Sequence, residues 1–149
     1  MPNLKIAELS DTDDVISRLR KFHTQSSYSQ HTFDEQKVRE LVSGLIASSP
    51  KDSIVLLSRD GEETVGFLMS AVTECLFNRE RFAIELVVWL DEEYRTYPRF
   101  SELEGAYTFW AKSVAECSLA SMAALDERTP SLYKRKGYRL TEVSYSKDL

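Results

Sequence analysis

Cysteine is scarce in this chain. Cys75 and Cys117 are its only thiols and belong to no CxxC or Cys/His cluster, so neither a disulfide framework nor a zinc site is indicated. Both read as reduced core cysteines. Long apolar runs are also missing: Ile54 to Leu57 and Leu86 to Leu90 fall far below the roughly 20 residues that a membrane helix requires. The first residues, MPNLKIAELSDTDD, carry acid where a signal peptide needs a basic and then an apolar stretch, so export is not expected and the cytoplasm is. Positive charge is in deficit, with a formal net charge of −5, which argues against general binding of nucleic acid. A cationic partner, such as an amine, fits better. Lys134, Arg135 and Lys136 form the one basic run; at a helix end it serves the helix dipole and solubility, with a phosphate contact as the alternative. Histidine is limited to His23 and His31, with no carboxylate spacing that makes either a metal ligand, and both read as ordinary polar residues.

Only 5 glycines and 4 prolines punctuate the chain, and no repeat, low-complexity tract or Gly/Ser linker divides it. With 149 residues, 42% of them hydrophobic, one domain with one proper core is expected.

Leu4 to Leu9 reads as a short strand. Ser10 with Asp11, Asp13 and Asp14 makes an acidic N-cap region ahead of Val15, Ile16, Leu19 and Phe22 at helical spacing. Asp34 is placed to cap a second helix, with Phe33 stapled onto Val38 and a stripe of Val38, Leu41, Val42, Leu45 and Ile46. Ser53 to Ser58 and Thr64 to Thr73 flank a tight turn at Arg59-Asp60-Gly61-Glu62, the pattern of a hairpin. Phe82 to Leu90 is apolar on both faces except at Glu85, which marks a central strand. A helix starting near Pro98 or Ser101 carries Leu103, Tyr107, Trp110 and Val114. Ser118 to Leu125 reads as a strand, Thr129-Pro130 as the start of a short helix and Gly137 as its stop. Alternation from Tyr138 to Ser146 predicts a final strand. The order is β-α-α-β-β-β-α-β-α-β.

Both that order and particular segments carry a resemblance. LYKRKGYRL looks like the closing signature of the GNAT acyl-CoA-dependent N-acyltransferases. FHTQSSYSQHTFDEQKV, VGFLMSAV, AIELVVWLDEEYR and Trp110-Ala111-Lys112 resemble a small bacterial and phage subgroup of that superfamily, and together these segments span nearly the entire chain. The resemblance implies an α+β (α/β) fold with a mixed, mostly antiparallel sheet of about six to seven strands flanked by helices. It also implies transfer of an acetyl group from acetyl-CoA directly to an amine, of a small molecule or a protein, without a metal. The cofactor would lie between the fourth and fifth strands, its thioester carbonyl polarised by backbone amides at Val88, Trp89 and Leu90. Fixed N–H donors on splayed strands suit a developing negative charge. Tyr133 matches the family's general acid, and a phenol of pKa ~10 suits a leaving thiol; the alternative is a ring that packs and a hydroxyl bonded locally. Glu85 is the candidate base for the amine, although one step along a strand reverses a side chain's face.

The chain departs from the family at the pyrophosphate loop. Where the family has Arg/Gln-x-x-Gly-x-Gly/Ala, this sequence has Arg95-Thr96-Tyr97-Pro98-Arg99-Phe100. Pro98 removes an amide donor and Phe100 adds bulk at a helix N-terminus that would hold phosphate. Two accounts stay open: Arg95 and Arg99 replace the lost donors through charge-assisted contacts, or the cofactor is lost. On the second account the chain is a GNAT-fold binding module for another protein, and a homodimer or a protein partner comes into question. Trp89 and Trp110 read as large rings filling the space between sheet and helix.

Overall fold

The computed structural model describes residues 3–124 and 129–149. Along the chain come β1 (Leu4–Ile6), α1 (Thr12–Gln25), α2 (Glu35–Ala47), β2 (Ser53–Asp60), β3 (Glu63–Glu74), β4 (Arg81–Leu90), α3 (Tyr97–Ser113), β5 (Leu119–Ser121) and α4 (Thr129–Arg135), with 3₁₀ turns at Leu9–Asp11 and Glu92–Tyr94. The strands form one sheet in the order β1-β2-β3-β4-β5. Its first three pairings are antiparallel and β4–β5 is parallel, because α3 carries the chain back over the sheet before β5 begins.

Alternation along the strands sends their side chains into two cores. Val55, Leu57, Phe67, Met69 and Trp89 meet Val15 and Leu19 of α1 and Val42 of α2. Leu56, Leu68, Ala83 and Leu90 meet Leu103, Tyr107 and Trp110 of α3 on the other face. β3 is covered on both sides, with Phe67 and Leu68 fully buried, and each such side chain is worth about 1.5–3 kcal/mol of transfer free energy. Local signals behave as their chemistry dictates. Asp34 accepts from the Lys37 amide at 3.1 Å, Phe33 and Val38 pack on the same core, and Gly61 turns the β2–β3 hairpin at φ 61. Gly66 serves a close approach: a Cβ there would come within 2.6 Å of both Leu90 Cδ2 and the Trp89 carbonyl.

Three expectations need correction. The sheet has five strands among the described residues, not six or seven. β5 spans only Leu119–Ser121, and Leu125, the expected end of that strand, lies outside the described residues. The final strand from Tyr138 to Ser146 does not form; residues 139–149 are irregular and all exposed. Neither alternate set there is apolar enough to bury: one runs into Glu142, Ser144 and Ser146, and the other mixes Arg139 and Thr141 with Val143 and Tyr145. No helix of the described residues is long and apolar enough to cross a membrane.

Candidate active site

β4 is the strand on which the site is built. Its register against β3 runs Gly66↔Leu90 to Met69↔Val87, then resumes at Ser70↔Glu85, so Leu86 is an extra residue and a bulge. The bulge changes which residues face which layer. Ala83 lies with Val88 and Leu90 on the α3 side, while Val87 and Trp89 face α1 and α2.

Along its other edge β4 pairs with β5 only from Phe82↔Leu119 to Ile84↔Ser121. Beyond that point β5 has ended, and β4 runs on with no partner strand on this edge among the described residues. The Asp91 amide donates to the Val65 carbonyl of β3 at 2.8 Å, and amide direction alternates along a strand. The amides of Val88 and Leu90 therefore point to the β5 edge, beyond the end of β5, whereas that of Trp89 belongs to the β3 side. Of the three expected donors, two face the gap. The Leu90 carbonyl on that edge is occupied by Arg95 Nε at 2.8 Å.

At the fork stands Glu85, opposite Ser70. It is partly buried, no hydrogen bond or ion pair holds it among the described residues, and burial pushes its carboxyl up to about 7. Close by, the fully buried Tyr107 places its hydroxyl 3.0 Å from the Ala83 carbonyl and 2.9 Å from that of Ser121. Desolvation, with the Glu85 charge adding to it, drives the Tyr107 phenol far above its ordinary pKa.

Tyr133 on α4 is buried and donates its hydroxyl to the Ala123 carbonyl at 2.8 Å, two residues past the end of β5. Its ring lies 6.1 Å from that of Phe100 and 5.3 Å from that of Tyr138. Tyr138 in turn donates to Glu104 at 3.0 Å, which also meets Lys136 Nζ at 3.2 Å.

The six-residue stretch from Arg95 to Phe100 closes on itself. Thr96 is the N-cap of α3 and accepts from the Arg99 amide, the Phe100 amide returns to the Thr96 carbonyl at 3.1 Å, and Pro98 has none to give. Arg95 stacks over Trp89 at 4.5 Å. Arg99 donates to the Arg59 carbonyl at 2.5 Å and lies over Tyr94 at 5.4 Å. Both guanidinium groups thus serve the chain's own carbonyls and rings. Exposed Tyr97 is flanked by Lys136 at 5.4 Å and Arg135 at 6.0 Å. A pyrophosphate finds few free amides in the first turn of α3.

On the α1 side of the β4 end lies a half-open cavity of about 210 Å³ lined by Lys21, Gln25, Trp89, Asp91, Glu92, Glu93 and Arg95. Asp91 is committed, accepting from Arg18 at 3.0 Å and from Trp89 Nε1 at 2.9 Å. Glu92 and Glu93 are exposed at the rim. His23 packs 5.4 Å from Phe33 with its buried Nε2 lacking a hydrogen-bond partner among the described residues, and His31 meets Asp148 at 3.4 Å. No group of three potential metal ligands occurs among the described residues. Trp110 donates to the Pro50 carbonyl at 2.6 Å, as a core ring with one polar atom must. The part played by Tyr107 was not visible in the sequence, where it is one member of an apolar helical stripe.

No family model matches the sequence, and no curated protein does. Solved structures do match. An aminoglycoside antibiotic 6'-N-acetyltransferase from Acinetobacter haemolyticus is 21% identical with a TM-score of 0.73, over 99% of this chain and 99% of that one. Glucosamine-6-phosphate N-acetyltransferase from Arabidopsis thaliana is 12% identical with a TM-score of 0.75, over 97% and 96% of the two chains. A ribosomal-protein-alanine N-acetyltransferase from Brucella melitensis is 14% identical with a TM-score of 0.73, over 99% and 98%. The fold is that of the GNAT N-acetyltransferases. At these identities the likeness is one of architecture, and the three neighbours differ in acceptor by their very names.

Proposed function

We propose that the protein transfers an acetyl group from acetyl-CoA to an amine, with the thioester held in the gap between β4 and β5. The observation that carries this reading is the fork: pairing stops at Ile84↔Ser121 where β5 ends, leaving the Val88 and Leu90 amides on an edge of β4 that no strand of the described residues covers. Fixed donors of this kind stabilise negative charge on a carbonyl oxygen as it develops, typically by about 2.7–4 kcal/mol per donor. Acetyl-CoA supplies the activated acyl group and a thiol that leaves.

Glu85 accepts a proton from the acceptor amine, directly or through water. With a carboxyl at about 7 it is ionised in a useful fraction at neutral pH and still basic enough to take that proton. The amine nitrogen forms the new bond to the acyl carbon as the carbon–sulfur bond breaks, and the Tyr133 hydroxyl gives its proton to the departing sulfur. For that step it must release the Ala123 carbonyl. The cavity beside Trp89 carries Glu92 and Glu93 together with Lys21 and Arg95; its two exposed acids offer a counter-charge to a cationic acceptor, and a cytoplasmic location suits a CoA-dependent reaction. Arg95 and the Tyr97 to Phe100 turn would lie toward the pyrophosphate, and there binding is expected to be weak.

Thermal unfolding with and without acetyl-CoA tests the reading. At 100 times its Kd a ligand stabilises by about 2.7 kcal/mol, and mass spectrometry of a panel of primary amines then reads transfer. No shift in melting temperature at millimolar acetyl-CoA or CoA would overturn the enzyme and favour a protein-binding module on the same fold.

A further inference from the structure

We infer that Tyr107 is the positioning residue that fixes where the pairing of β4 and β5 ends. The inference rests on the proposed function only in the use made of the gap; the geometry stands by itself. The hydroxyl lies 3.0 Å from the Ala83 carbonyl on β4 and 2.9 Å from the Ser121 carbonyl on β5, so one buried proton is shared between the two strands at the last step of their ladder. Ser121 Oγ reaches the same Ala83 carbonyl at 3.4 Å. On the other side of β4, Ser70 Oγ donates to the Ile84 carbonyl at 2.8 Å. The strand is thus gripped from both edges at residues 83 and 84, immediately before Glu85 and the Leu86 bulge.

Each grip has a physical reason. A carbonyl at the end of a ladder that is buried without a donor carries the uncompensated cost of its desolvation, and the end of the β4–β5 pairing leaves such groups. Tyr107 meets that need from α3, whose ring at this position is wholly buried and lies 6.3 Å from Trp110, in a stacked arrangement. The helix supplies rigidity, and the phenol transmits it to the fork. Glu85 and the Val88 and Leu90 amides follow within a few residues, so the distance from base to amide donors depends on where the grip is applied. A phenol whose ionisation is disfavoured remains a donor throughout the working pH range, which is what a structural pin requires.

Tyr107→Phe keeps the ring and removes the pin; Trp110→Phe, on the same helix, removes instead the bond to the Pro50 carbonyl and is the control for general loosening of α3. Hydrogen exchange resolved by residue should show amides at 83–85 and 119–121 exchanging about tenfold faster in Tyr107→Phe, a factor that one lost hydrogen bond supplies, with the β2–β3 ladder unchanged. Trp110→Phe should leave the fork as it is. CoA affinity by calorimetry should fall by a similar factor in the first variant only. In wild-type protein the Tyr107 hydroxyl proton should be observable by NMR as a slowly exchanging resonance with contacts to Ala83 and Ser121. A hydroxyl proton exchanging as fast as an exposed phenol's, unchanged exchange at the fork in Tyr107→Phe, or equal acceleration in Trp110→Phe would each overturn the inference. Absence of CoA binding to the wild type would overturn the proposed function instead, and the exchange data would still decide the pin.

Discussion

Glu85 is the residue at which sequence and site meet most directly. A single carboxylate in Arg81–Leu90, a strand otherwise apolar from Phe82 onward, stands out by composition, and the fold gives it a reason in the fork. Its raised carboxyl has a stability consequence whose sign is fixed. The folded state holds the proton up to about 7, against 4.5 for the free side chain, so the native protein binds more protons than the unfolded one between those values. Stability therefore falls as pH rises from 4.5 to 7 and is flat with respect to this group on either side. At about 1.4 kcal/mol per pH unit the loss is of order 3 kcal/mol. Glu85→Gln should abolish that slope in urea titrations, leave the variant the more stable protein at pH 8, and lower transfer roughly 10²-fold to 10⁴-fold. An unaltered slope would mean that Glu85 is solvated. Tyr133 makes the complementary case. The motif matches it to a general acid, with a packed ring and a locally bonded hydroxyl as the alternative, and in the structure the hydroxyl is bonded to the Ala123 carbonyl. Tyr133→Phe should cost about 1 kcal/mol of stability and reduce acetyl transfer by a similar 10²-fold to 10⁴-fold; unchanged turnover would leave it a packing residue.

At the scale of elements, local signals carried most of the fold and failed in two instructive places. The Asp34 cap, the Gly61 turn and the Thr129-Pro130 helix start follow from short-range chemistry, and the structure has them. The alternation from Tyr138 to Ser146 has the period of a strand without an apolar face, and period alone buries nothing. The Tyr107 pin also escapes local reading, because it is made with carbonyls 24 and 14 residues away. The start of α3 is where sequence and structure agree to functional effect. Thr96 caps the helix and Pro98 lacks an amide, so the turn offers few donors to an anion. Replacing Pro98 and Phe100 with glycine together should raise CoA affinity about tenfold or more, since a recovered charge-assisted hydrogen bond is worth about 1.5–3 kcal/mol. Calorimetry reads it. Tight wild-type binding left unchanged by the double variant would show that the arginines already supply what the glycines would.

Taken as a whole molecule, the site depends on α1 being held against the end of β4, and one ion pair does much of that. Arg18 reaches Asp91 at 3.0 Å with side-chain exposures of 12% and 14%, and it also donates to the Thr64 carbonyl. Asp91 accepts a further bond from Trp89 Nε1, so the pair ties a helix, the β3 start and the strand that carries the gap into one unit beside the cavity. Arg18 Nε already lacks a partner. In Asp91→Asn the guanidinium loses its counter-charge while remaining mostly out of water, a change that costs about 3–5 kcal/mol when burial is complete. The slight exposure of both groups puts the expectation at the lower end. For a domain of this size each kcal/mol moves the melting temperature by about 2–4 °C, so a fall of roughly 6–12 °C is expected by calorimetry. The apolar pair Arg18→Met with Asp91→Leu should recover most of it, because well-packed hydrophobic residues often replace a buried pair at no net cost. A double variant as unstable as Asp91→Asn would assign the loss to the geometry at Trp89 and Thr64, and the pair would then be a fastening of specific shape that packing cannot replace.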